Sequence, residues 1–140
     1  MAERGYRGYI GCRPIGAHRV PQHVQNLVIR DYAQRKGLAY RLSAAEYVMP
    51  GSYLMLEQVL GDLDSLDGLI VYSLFMLPDD ARHRATIWRR VLDAGASLHA
   101  AVEDQVLANK DDIERLETLF LVNRALAYAW RPDATASMIP

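Results

Sequence analysis

Apolar positions along the chain alternate between two spacings. Short continuous or alternating runs, which mark strands, are each followed by recurrences at three and four residues, which mark helices. The first run covers residues 5–12, holds Tyr9 and Ile10, and ends at the turn-forming stretch Arg13, Pro14, Ile15, Gly16. Val24, Leu27, Val28 and Tyr32 then recur at helical spacing. Pro21 suits a first helical turn and Gly37 a stop, so a helix is predicted over residues 20–36. Residues 38–42 read as a second strand, and Ser52 as the cap of a second helix carrying Leu56, Val59 and Leu60. The run GLIVYS at 68–73 has no polar alternation, as expected of a strand covered on both faces. Asp79 and Asp80 open a third helix containing Ile87, Trp88, Val91 and Leu92, which Gly95 closes. Residues 97–103 form a fourth strand, and Asn109, Asp111 and Asp112 start a fourth helix with Ile113, Leu116, Leu119, Phe120 and Asn123.

This β-α-β-α-β-α-β-α order predicts an α/β fold, a parallel sheet flanked by helices with right-handed crossovers. One domain over residues 1–129, followed by a tail at 130–140, fits a chain of 140 residues. Apolar residues make up 51% and charged residues 24%, the balance of a folded protein. No apolar stretch nears the roughly 20 residues that cross a bilayer, and the first residues lack the apolar segment of an export signal. With Cys12 the lone cysteine, an internal disulfide is excluded. A cytoplasmic protein with no membrane partner is expected.

The charge distribution changes the picture more than the total of −1. Residues 1–41 carry eight basic side chains against Glu3 and Asp31, a net +6, which leaves −7 for the remainder. Clustered arginines attract and bind anions, and they also make ordinary solvated surfaces. Both readings stay open. In an open parallel sheet, ligands bind outside the carboxyl ends of the strands. Those ends gather Cys12, Arg13 and His18, then Glu46 and Tyr47, then Ser73, then Glu103. The first helix adds Gln22, His23 and Asn26. His23, Asn26 and Arg30 share one helical face, which serves either a ligand or plain solvation. Cys12 in its basic setting is a candidate nucleophile or a buried inert thiol. His99 and Glu103 share a strand face, and Glu46 on a neighbouring loop would complete a metal site with them, but no tight ligand motif is present. Neither a metal nor an organic cofactor is expected. The glycines of the first strand also lack the spacing of phosphate-binding loops.

Two resemblances add context. Gly8-Tyr9-Ile10-Gly11-Cys12-Arg13, followed by Pro21-Gln22-His23-Val24-Gln25, resembles the first strand and helix of serine resolvase and invertase catalytic domains. The likeness runs over residues 6–104, with Glu46, the strand at 67–74 and Glu103 in matching places, and it implies a resolvase-like fold. The nucleophilic serine position falls on Arg13 or Cys12, and the arginines after the third strand are replaced by SLFMLP, so DNA recombination is not expected. The segments YRGYI at 6–10, PQHVQNLVIRDY at 21–32, LSAAEYVMP at 42–50 and YSLFMLP at 72–78 resemble the sporadic carbohydrate cluster proteins, which implies a setting in carbohydrate metabolism.

The resulting expectation is a small-molecule enzyme or accessory protein that binds an anionic molecule or sugar derivative. In it His23, Glu46 and Cys12 are the catalytic candidates, and Arg13, Gln22, Asn26, Arg30, Tyr47, Ser73 and Glu103 hold the ligand. One alternative is a non-enzymatic module that forms a homodimer through the Ile113, Leu116, Phe120 and Asn123 side of the last helix. Another is a nucleic-acid-binding remnant, although nucleic acid is not the expected partner.

Overall fold

A computed structural model describes residues 4–11, 19–47, 49 and 51–129. Five strands and four helices follow in the order β1 (Tyr6–Ile10), α1 (Gln22–Lys36), β2 (Tyr40–Ala45), α2 (Leu54–Gly61), β3 (Gly68–Val71), α3 (Ala81–Asp93), β4 (Ser97–Ala100), β5 (Gln105–Leu107) and α4 (Asp112–Ala129). The strand order is β2-β1-β3-β4-β5, with the first four strands parallel and β5 antiparallel to β4. The expected α/β sheet is therefore present, with an antiparallel strand added at its edge.

That edge strand corrects the fourth strand predicted over 97–103. The chain leaves β4 at Ala100 and reverses through Asp104, whose φ of 54° lies in the left-handed region. Neither glycine nor proline marks this turn, and the polar run Glu103, Asp104, Gln105 is all that signals it in the sequence. The second strand also starts and ends later than predicted. Its pairing slips between Arg7 and Tyr9: Arg7 pairs with Arg41 while Tyr9 pairs with Ala44, which gives β2 one extra residue. The bulge swings Leu42 outward to 80% exposure. It also lays the Ser43 side chain over Gly8, where a Cβ would collide with it.

The sheet is covered on both faces. α1 packs Ile29, Tyr32 and Ala33 against Ile10, Ile70 and Ala101 on one side. α2, α3 and α4 cover the other, where Tyr9, Leu69, Val71 and Leu98 meet Leu56, Val59, Ile87, Trp88, Val91, Leu116 and Phe120. α1 stops at Gly37, which takes φ 69° and donates its amide back into the last turn. Asp80 caps α3 by accepting from the Arg82 amide at 3.2 Å. No helix among the described residues is long and apolar enough to cross a membrane.

Candidate functional site

The order β2-β1-β3 means that the connections leaving β1 and β3 run to opposite sides. The carboxyl ends of β1 and β3 thus flank the topological switch point of the sheet, the place where open parallel sheets form a ligand crevice. Gly11 stands at the end of β1, and Tyr72 and Ser73 stand at the end of β3. Gln25, fully buried on α1, fixes this corner. Its amide nitrogen donates to the carbonyls of Gly11 at 2.5 Å and Val20 at 2.8 Å, and its oxygen accepts from the Gly11 amide at 3.1 Å. The glutamine thereby pins the exit of β1 to the entry of α1. α1 begins after Pro21, whose carbonyl accepts from the Val24 and Gln25 amides at 3.0 and 3.1 Å, and among the described residues no side chain caps its first turn.

The sequence candidates do not form one cluster. Cys12 and Arg13, with His18, lie outside the described residues. His23 and Gln22 stand in the first turn of α1, beside the switch point, with His23 exposed. Arg30 does not join them: seven residues of helix place it roughly 10 Å further along α1. There it lines an open groove with Leu27, Gln34 and Tyr40. Asn26 turns toward β2, where its oxygen accepts from Ser43 at 2.6 Å and Tyr40 at 3.2 Å.

Glu46 is buried and surrounded by donors. The Tyr9 hydroxyl approaches at 2.8 Å, the amides of Met55 and Leu56 at 3.1 Å each, the Tyr47 amide at 3.2 Å and the Ser52 hydroxyl at 3.3 Å. Burial alone raises a carboxyl pKa. Here the donors, led by Met55 and Tyr9, outweigh it and hold Glu46 below the ordinary glutamate value. A carboxylate so held anchors the loop after β2 to the start of α2. It also corrects the cap expected at Ser52, because Glu46 satisfies the first amides of α2 and Ser52 donates to Glu46. The Tyr47 side chain is exposed.

Ser73 and Glu103 meet across the ends of β3 and β4. The Ser73 hydroxyl donates to Glu103 at 2.7 Å, the Leu74 amide donates to the other oxygen at 2.7 Å, and Ser73 accepts from Phe75 at 3.2 Å. His99 is separate from both carboxylates. It faces α1, with Nδ1 2.8 Å from the Tyr32 hydroxyl and Nε2 3.1 Å from that of Ser97. The described residues hold no group of three metal-ligating side chains.

Sequence reasoning missed Arg84. Buried on α3, it spans Glu117 with two bonds at 2.9 and 2.8 Å and donates to the carbonyls of Pro78 and Asp79. Its guanidinium lies 3.9 Å from the centre of the Phe120 ring, and Trp88 also donates to Glu117 at 2.8 Å. This cluster seats the first half of α4 against the domain. Leu116 and Phe120, expected on an outer face, are therefore core residues at 1% and 7% exposure. Beyond them every residue from 121 to 129 is exposed. A groove of about 320 Å³ runs between Phe75, beside the end of β3, and this second half of α4, with Asn123 and Arg124 on its wall.

No family model matches the chain, and no curated protein matches it either. Solved structures are similar, two of them as follows. A resolvase family site-specific recombinase from Streptococcus pneumoniae shares 14% identity over 86% of this chain and 89% of its own, with a TM-score of 0.62. The N-terminal catalytic domain of TP901-1 integrase shares 14% identity over 89% of this chain and 99% of its own, with a TM-score of 0.58. The chain therefore has the fold of resolvase and integrase catalytic domains. The likeness to the carbohydrate cluster proteins gains no support from these comparisons.

Proposed function

We propose that the protein is a small-molecule enzyme or accessory protein, of carbohydrate or related specialised metabolism, that binds an anionic ligand at the carboxyl ends of β1 and β3. The observation that carries this reading is the switch point between β1 and β3, with Gln25 bonded to Gly11 on one side and the Ser73–Glu103 pair on the other. In it His23 exchanges a proton, Gln22 orients the ligand, and Arg13 and the α1 amides hold its negative group. The metabolic setting rests on the sequence resemblance alone. DNA strand exchange forms no part of the reading, since Cys12 or Arg13 stands where the recombinase serine belongs.

Calorimetry with a panel of nucleotide sugars and sugar phosphates tests it. Wild-type protein should bind at least one member, and His23→Ala and Arg13→Ala should each weaken that binding about tenfold or more while the fold is kept. No binding by the wild type, or unchanged binding by both variants, would remove the proposal.

A second reading is a self-associating module. The exposed turns of α4 carry Leu121, Val122, Leu126 and Tyr128, at 49 to 68% exposure. A helix apolar on most sides is ordinarily buried by something. Sedimentation should then give a dimer that Leu126→Asp converts to monomer; a wild-type monomer at all concentrations excludes it.

A further inference from the structure

We infer a second anion site at the opposite, amino-terminal end of the sheet, formed by Arg7 and Arg41 and suited to a phosphate monoester. The two arginines are register partners on adjacent parallel strands, so their side chains leave the same face of the sheet. Neighbouring strands lie about 4.8 Å apart, so the two side chains leave adjacent points of one face, and like charges on directly opposed residues disfavour the pairing unless an anion joins them. Among the described residues no carboxylate pairs with either one. Arg7 uses one nitrogen, Nε, on the Leu42 carbonyl at 3.1 Å, which leaves the rest of its fork available. Arg41 runs over Gly5, where a Cβ would come within 2.8 Å of its side chain.

Both arginines line an open groove of about 770 Å³ whose other walls include Leu42, Leu66 and Asp62. Its chemistry narrows the ligand. Two guanidinium forks demand two oxygen edges, which a tetrahedral phosphate presents and a single carboxylate does not. The groove exceeds a bare phosphate, and the bulge places exposed Leu42 where the organic part of an ester would rest. Asp62 opposes the anion and limits its affinity. The basic first third of the sequence is thus divided by the fold, with Arg7 and Arg41 far from the carboxyl edge. This inference is independent of the function proposed there.

The test is calorimetric titration with inorganic phosphate, phenyl phosphate and acetate at matched ionic strength. Wild-type protein should bind both phosphates, phenyl phosphate the more tightly, and acetate at least tenfold more weakly. Arg41→Gln should weaken phosphate binding about tenfold or more, Asp62→Asn should strengthen it, and Arg89→Gln, on α3, should leave it unchanged. In phosphate-free buffer Arg41→Gln should be no less stable than wild type, because a like-charge pair has been relieved. Equal binding of acetate and phosphate, unchanged binding by Arg41→Gln, or a loss of stability in that variant without phosphate would overturn the site.

Discussion

The hydroxyl of Tyr9, buried in β1, donates at 2.8 Å to the carboxylate of Glu46, 37 residues later in the chain. Through that carboxylate a strand in the centre of the sheet is joined to the first turn of α2. Glu46→Gln would aim an amide NH₂ at groups that are themselves donors, and should cost about 2 to 4 kcal/mol. Tyr9→Phe, which removes one donor, should cost about 1.5 to 3 kcal/mol. Because the folded carboxyl titrates below its ordinary value, its contribution is complete above that ordinary value and fades as pH falls through the folded one. Urea unfolding across this acid range measures both effects, and the Gln variant should lose the corresponding part of the pH dependence. A Gln variant as stable as wild type would show that Glu46 does not cap α2.

His99 provides a second acid-sensitive point, at higher pH. Burial, with help from the Lys36 charge and against that of Asp104, lowers its pKa to about 4 from 6.5. The unfolded chain therefore binds the proton first. The stabilisation from keeping this ring neutral is complete above about pH 6.5 and is lost as pH falls toward 4, in total on the order of 3 kcal/mol. His99→Gln should be less stable at neutral pH and should show a flatter profile between pH 6.5 and 4. Chemical denaturation of both proteins at several pH values gives the comparison, and parallel profiles would rule the histidine out as the source.

Much of the architecture was legible because it is written locally. The helical recurrence from Val24 to Tyr32, the stop at Gly37, the cap at Asp80 and the continuous run of β3 each depend on neighbours in sequence. What escaped depends on distant partners. Glu46 caps α2 from the other end of a loop, so the nearer Ser52 took its place in the reading. Gln25 was legible as part of the polar start of α1, but its bonds to Gly11 across the corner were not. β5 escaped because its turn uses Asp104 in a conformation usually given to glycine, and the outward face expected of Leu116 and Phe120 was covered once Arg84 met Glu117. At the candidate site the location was readable, from strand ends and topology, while Arg30 was misplaced because a shared helical face says nothing about position along the axis.

Arg84, which is buried, and Glu117, which is partly exposed, form a pair whose removal and replacement should differ. The Arg84 and Trp88 donors hold the Glu117 carboxyl below its ordinary value despite burial. Arg84→Met leaves the carboxylate with the Trp88 donor and partial solvent contact and frees the carbonyls of Pro78 and Asp79, and should cost about 2 to 3 kcal/mol. Adding Glu117→Leu removes the orphaned charge and should recover part of that loss. A double-mutant cycle in urea measures the coupling, and strictly additive costs would mean the two side chains act separately.

Asp104 separates backbone conformation from charge. Its φ of 54° is strained for most side chains, while its carboxylate pairs with Lys36 at 3.0 Å on the surface. That exposed pair is worth about 0 to 1 kcal/mol. Asp104→Asn removes the charge and keeps a residue tolerant of the left-handed region, so its effect should stay within about 1 kcal/mol. Asp104→Gly relieves the conformation and should be neutral or stabilising once the small ion-pair loss is offset. Asp104→Val removes the charge equally but puts a branched side chain at this φ, and should cost at least about 1 kcal/mol more than Asn. Thermal unfolding of the three variants distinguishes the causes: equal losses in all of them would assign the effect to the Lys36 pair, whereas the order Gly, Asn, Val assigns it to the turn that starts β5.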